Sequence, residues 1–111
     1  MDKLERYRDI LKQVIQYYAG LRKPGGPVRY EAIIDPANDH YELMSVGWED
    51  GRRIHGCVIH LDLIDGKIWI QYDGTNWPVA DELLQAGVPK EDIVLGFQPE
   101  EVRPFTEFAV K

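Results

Sequence analysis

Asp65-Gly66 stands between two runs of alternating apolar residues, Val58 to Ile64 and Lys67 to Tyr72. An Asp-Gly pair readily takes positive φ at both positions, as a two-residue type I′ hairpin turn requires. With that turn in place the register follows. Ile64 faces Lys67, Leu63 faces Ile68, Leu61 faces Ile70 and Ile59 faces Tyr72. Side chains alternate with period two, so the apolar pairs share one face of a sheet. The opposite face then carries Asp62 across from Trp69 and His60 across from Gln71, with Asp73 at its end. One face reads as core and the other as amphipathic.

The rest of the chain supplies partners for that hairpin. Leu4, Tyr7, Leu11, Val14, Tyr18 and Leu21 recur at alternating steps of three and four, with Ile10 and Ile15 widening the stripe. This spacing predicts an amphipathic helix over residues 3–20, with Gly20 near its C-cap. Fewer than three heptads are present, which favours packing on the chain's own sheet over a helix dimer. Lys23-Pro24-Gly25-Gly26-Pro27 reads as a loop. Strands are predicted at Val28–Ile34, Tyr41–Trp48, Arg53–Ile64 and Lys67–Tyr72, the middle pair joined through Glu49-Asp50-Gly51. A short helix follows at Val79–Ala86, with Pro78 at its first turn and Gly87 at its end. Glu100–Arg103 suits one helical turn, and Thr106–Val110 an edge strand. The expected fold is α+β: one domain, residues 1–111, with an antiparallel sheet of about four strands on a long N-terminal helix. A short second helix and a mixed C-terminal segment complete it.

Charge divides the chain. Residues 1–30 hold seven Lys/Arg and three Asp/Glu, a net of +4; residues 31–111 hold six and sixteen, a net of −10. The acidic body repels a phosphate backbone, so specific DNA binding by the chain alone is not expected. The basic N-terminal part reads first as a solvated helix face. Its opening, Met1-Asp2-Lys3-Leu4-Glu5-Arg6, is amphipathic rather than an apolar leader segment. No apolar run approaches the ~20 residues of a spanning helix, and a cytoplasmic location is expected.

Little in the sequence points to catalysis. Cys57 is the one cysteine; it excludes an internal disulfide and is expected on the core face as inert packing. Ser45 is the one serine and lies mid-strand without a nucleophile-elbow context. His40, His55 and His60 lack local ligand spacing, and His55 and His60 are expected on opposite faces of their strand, so no metal is expected. Asp62 and Asp73 could do acid–base work, but Asp73 precedes Gly74-Thr75-Asn76 and looks like a turn former. Trp69 on the non-core face needs a cover, either the C-terminal segment or another subunit. Trp48 reads equally as core or as an interface anchor. Gly25-Gly26 lies between prolines and is not a phosphate loop. No catalytic or cofactor-binding residue is assigned. The candidate interaction surface is His60, Asp62, Trp69, Gln71, Asp73, Phe97 and Arg103.

Three ordered motifs carry a family resemblance across nearly the whole chain. Asp65-Gly-Lys-Ile-Trp-Ile-Gln-Tyr-Asp73, Ala86-Gly-Val-Pro-Lys-Glu-Asp-Ile-Val-Leu-Gly-Phe97 and Glu101-Val-Arg-Pro-Phe-Thr-Glu-Phe-Ala109 resemble the fdxN element excision controlling factors of the XisI type, known from cyanobacteria. The Leu4-Glu-Arg-Tyr-Arg opening and Gly47-Trp48 fit as well. Thr75-Asn76-Trp77-Pro78 departs, since the family more often has Glu after that Thr. The resemblance implies a non-enzymatic accessory factor linked to programmed DNA excision during heterocyst differentiation. It implies action beside a site-specific recombinase and a nuclease-like factor of the XisH type. A homodimer is the expected assembly, because an uncovered Trp69 and the short apolar run Val94–Phe97 offer a patch that two-fold symmetry can close. The competing reading is a small enzyme or ligand-binding domain using His60, Asp62, Trp69, Gln71 and Asp73. A third is DNA binding through the N-terminal helix.

Overall fold

The computed structural model describes residues 2–22 and 25–111; Lys23 and Pro24 of the predicted loop lie outside the described residues. The chain runs α1 (Lys3–Ala19), β1 (Val28–Asp35), β2 (His40–Glu49), β3 (Arg52–Ile64), β4 (Lys67–Asp73), α2 (Val79–Gln85) and β5 (Ile93–Leu95). Single 3₁₀ turns lie at Lys90–Asp92 and Arg103–Phe105. The fold is α+β, as the patterning predicts. The sheet has five strands rather than four, in the order β1-β2-β3-β4-β5. It is mixed: β1 to β4 form an antiparallel meander, and β5 pairs parallel to β4 through Ile68/Ile93 and Ile70/Leu95. A three-residue strand is too short to show a period, which is why Ile93–Leu95 could not be assigned from its pattern.

Two Asp-Gly turns organise the meander. Asp65 and Gly66 have φ of 51° and 79°, and Asp50 and Gly51 have 52° and 76°, both as type I′ geometry demands. Pairing outward from Asp65-Gly66 matches the predicted register as far as Leu61/Ile70. Gly47 is required for a different reason. At φ 156° a Cβ there would sit 2.1 Å from the Pro27 carbonyl oxygen, the acceptor for the Trp48 amide at 3.1 Å.

Helix α1 lies across one face of the sheet. Asp2 caps it, accepting a hydrogen bond from the Glu5 amide at 2.8 Å. Tyr7, Ile10, Leu11, Val14, Ile15 and Tyr18 are buried against Tyr41, Leu43, Ile59, Leu61, Leu63, Ile68 and Ile70. The two ends of the stripe, Leu4 and Leu21, are exposed. Tyr7 donates its hydroxyl proton to Asp92, and burial together with that carboxylate pushes its pKa up to about 12. Helix α2 ends in a Schellman motif: the Val88 amide bonds the Leu83 carbonyl and the Gly87 amide bonds that of Leu84, with Gly87 at φ 97°. This turn returns the chain to lay β5 beside β4.

Two β-bulges change the rest of the predicted register. In β3, Leu43 pairs with Ile59 but Met44 pairs with Cys57, leaving Val58 as the extra residue. In β4, Leu61 pairs with Ile70 but His60 pairs with Tyr72, leaving Gln71 as the extra one. Each bulge reverses the alternation beyond it. Cys57 therefore leaves the core face and is exposed. His55 moves to the same face as His60, because their partners Val46 and Glu42 share a face of β2. Tyr72 turns outward beside His60, and Asp73 turns to the Ile59 side instead of sharing the polar face with Asp62. The predicted C-terminal edge strand reduces to one parallel bridge, Val94 with Ala109, where the Ala109 amide bonds the Ile93 carbonyl.

Candidate functional site

The β3 bulge builds the most chemically distinct cluster of the molecule. Counted through Asp50-Gly51 without a bulge, His40 would lie opposite Leu61. The extra Val58 shifts pairing by one, so Tyr41 meets Leu61 on the core face and His40 meets Asp62 on the other. Glu42 then pairs with His60. Two adjacent cross-strand pairs thus place two imidazoles and two carboxylates in one square on the face away from α1.

Asp62 is the centre. It is the buried charged side chain of the described residues, 7% exposed. His40 Nδ1 lies 2.7 Å and His60 Nε2 2.8 Å from the same Oδ1 oxygen. Gln71, displaced by its own bulge, donates through Nε2 to Oδ2 at 3.2 Å. Glu42 Oε1 stands 3.5 Å from His60 Nε2. The hydrogen bond to Asp62 raises the His40 pKa, with the same carboxylate's charge acting in the same direction. The imidazole rings of His40 and His60 meet edge to face, 6.2 Å apart.

Other predicted site residues go elsewhere. Asp73 Oδ1 accepts from the Thr75 amide at 3.0 Å, and its Oδ2 accepts from the Val79 amide at 2.8 Å. It is a turn former that also ties down the start of α2, apart from the Asp62 cluster. Trp69 has its cover within the chain: the Arg103 guanidinium lies 5.1 Å over its ring, and a Cβ on Gly96 would come 3.1 Å from it. It is half-buried, so it is not the uncovered anchor the sequence suggested. The Ala109 bridge likewise covers part of the β5 edge. Phe97 is exposed. Trp48, for which core and interface are equal readings of the sequence, is 58% exposed at the hairpin tip, stacked under Arg53, its cross-strand partner. Tyr72 is 49% exposed.

His40 and Glu42 are the site residues that sequence reasoning missed. The signal was present: aligning Tyr41 and Leu43 with Leu61 and Ile59 as apolar pairs requires a one-residue offset from the Asp50-Gly51 register. Two clefts, of about 290 and 510 Å³, lie elsewhere. The first is lined by Tyr18, Tyr30 and Trp77 among others, the second by Asp73, Leu84 and Phe97, and neither by His40, His60 or Asp62.

The chain matches the family of XisI proteins over residues 1–110 and belongs to it. Two crystal structures from Anabaena variabilis ATCC 29413 share its fold. One is of a XisI-like protein, 41% identical, with a TM-score of 0.91, covering 97% of this chain and 99% of that one. The other is of the fdxN element excision controlling factor XisI, 38% identical, with a TM-score of 0.84, covering 99% and 100%. No protein of curated function matches the chain.

Proposed function

From this membership of the XisI family, we propose that the chain is a non-enzymatic accessory factor that controls programmed DNA excision through protein partners. The observation that carries the reading is likeness over the full chain to a controlling factor of fdxN-element excision. The partners proposed are a nuclease-like factor of the XisH type and a site-specific recombinase. The chain's own chemistry is compatible with a protein-binding role. The face away from α1 presents exposed Tyr72 beside the polar cluster and exposed Trp48 at the β2–β3 tip, and aromatic side chains are favoured anchors of protein interfaces. A homodimer closing over this face is part of the proposal, with Tyr72 and Trp48 as anchors in place of Trp69; Phe97 stands beside α2 on the other side of the sheet.

Direct specific recognition of duplex DNA is not part of it. Three basic residues of the N-terminal region are held by acidic ones. Arg8 grips Asp39 through two bonds of 2.9 and 3.1 Å, Lys3 lies 2.9 Å from Asp92, and Arg29 lies 2.8 Å from Glu31. Such pairing breaks the continuous basic surface that phosphate binding uses. The competing enzyme reading draws on the Asp62 cluster, but Asp73 is committed to backbone amides and leaves that set.

Mixing the purified chain with the XisH-type factor of the same genome tests the reading. A complex in size-exclusion chromatography and calorimetry at micromolar concentration is expected. No complex, together with turnover of a small substrate that depends on His60 and Asp62, would overturn it. Sedimentation at the same concentration tests the dimer, and a monomer throughout removes that part.

A further inference from the structure

We propose that His40, His60 and Asp62 form a binding site for a divalent first-row transition cation, with Glu42 able to complete it. The inference stands apart from the proposed function, since no step of excision control is invoked.

The donor set is two imidazole nitrogens and one or two carboxylates, a combination suited to zinc and its first-row neighbours. Its members come from adjacent strands held in register by backbone pairing, so the site does not depend on a mobile loop. His40/Asp62 and Glu42/His60 are successive cross-strand pairs on one face. The donor atoms of His40, His60 and Asp62 all lie within 4.8 Å of one another. The individual separations are 2.7 Å from His40 Nδ1 to Asp62 Oδ1, 2.8 Å from His60 Nε2 to the same oxygen, and 3.5 Å from His60 Nε2 to Glu42 Oε1. A tetrahedral cation bonded at about 2.0–2.2 Å to each donor sets neighbouring donors roughly 3.3–3.6 Å apart. The His60–Glu42 separation already fits, while the two imidazole nitrogens must draw back from Asp62 Oδ1 by roughly half an ångström to one ångström, a side-chain adjustment on a fixed backbone register.

Two further features fit a cation. Asp62 is buried, yet its side-chain partners in the described residues are two histidines and a glutamine, with no Lys or Arg among them. Gln71 holds the remaining Asp62 oxygen, the outer-shell bond that fixes a ligating carboxylate. The bulge at Gln71 places that side chain on this face. His40 is 54% exposed, so the fourth side of the site opens to solvent. Positions there can be filled by water or by a donor from another molecule.

The bland alternative is a hydrogen-bonded cluster in which the two rings simply donate to Asp62. Calorimetric titration of the chelator-stripped full chain with zinc chloride separates the two. A 1:1 isotherm in the micromolar range or tighter is expected, and cobalt(II) should give visible d–d bands on binding. His40→Ala removes an exposed ring, so the fold survives it; it should weaken binding at least about tenfold, and Gln71→Ala about tenfold. His55→Ala, on the same face but outside the cluster, should leave binding unchanged. Affinity should fall as pH drops, because the ligands must be deprotonated to hold a cation. Absence of zinc binding at 100-fold excess, or binding that His40→Ala leaves intact, overturns the site. Binding abolished by His55→Ala overturns it equally.

Discussion

Under α1 the sheet is closed mainly by apolar side chains from both layers, most of which can be exchanged for another of similar volume. On the opposite face the chain buries one carboxylate, surrounds it with two histidines and a glutamine, and leaves aromatic side chains in water. Both faces are built by the same strands with the same backbone bonds. The difference lies in what a substitution can change. On the first face it changes chiefly packing, with the hydroxyl bonds of Tyr7 and Tyr41 at the margin. On the second it changes charge, ligation and contact with other molecules, while the fold stays supported from beneath.

The sharpest expected contrast in stability is at Leu61. It is fully buried beneath α1, and Leu61→Ala should cost about 2–5 kcal/mol in denaturant titration through lost burial and a residual cavity. A cost near zero would mean that α1 does not close this face. Asp62, its neighbour on the other face, should cost less. Asp62→Asn removes the charge and sets an amide donor against two ring nitrogens and Gln71. About 1–3 kcal/mol is expected, provided that chelator is present so that no cation contributes. An equal or larger loss than at Leu61 would make the polar cluster a keystone of the fold and break the division between the faces.

The core face was legible in the sequence because three independent signals agreed there: the helical stripe from Tyr7 to Tyr18, the strand alternation and the Asp65-Gly66 turn. The other face was legible only near that turn, where Asp62 does stand across from Trp69. Bulges carry no strong residue signature, and one extra residue inverts every side chain beyond it. Val58 and Gln71 are the extra residues, and from them follow the errors at Cys57, His55, Tyr72 and Asp73. His40 was invisible for the same reason, since its pairing with Asp62 exists only after the Val58 offset. The cover over Trp69 depends on Arg103, thirty-four residues later in the chain, a contact set by how β5 turns and not by any local pattern.

A smaller effect, readable as a slope, is expected at His40. Asp62 raises its pKa in the folded state, with Asp35 and Glu42 adding to the pull and His60 as the neighbouring ring. A histidine whose pKa is raised on folding stabilises the protein fully below its unfolded value, about 6.5. That contribution is lost as pH rises through the folded value. The stability gap between the parent chain and His40→Ala, measured with chelator, should therefore be widest near pH 5.5 and close toward pH 9. A gap that widens with rising pH would place His40 neutral in the fold and contradict the ion pair.

The smallest effect on the fold is expected at Tyr72, where the two faces can be separated most cleanly. The Gln71 bulge turns this ring outward beside His60, half in solvent, while Ile70 and Ile59 keep the core closed below it. Removing it takes away little burial within the chain, so Tyr72→Ser should shift stability by no more than about 0.5 kcal/mol. The same change should weaken self-association or partner binding by about tenfold or more if the ring anchors an interface, as exposed aromatics at interface centres do. Denaturant titration and sedimentation on one preparation give both numbers. Unchanged stability with weakened association assigns the face to contact with another molecule. Unchanged values in both measurements would take Tyr72 out of the interface, leaving Trp48 as the remaining anchor of this face to test, and a stability loss as large as that at Leu61 would make this face part of the core.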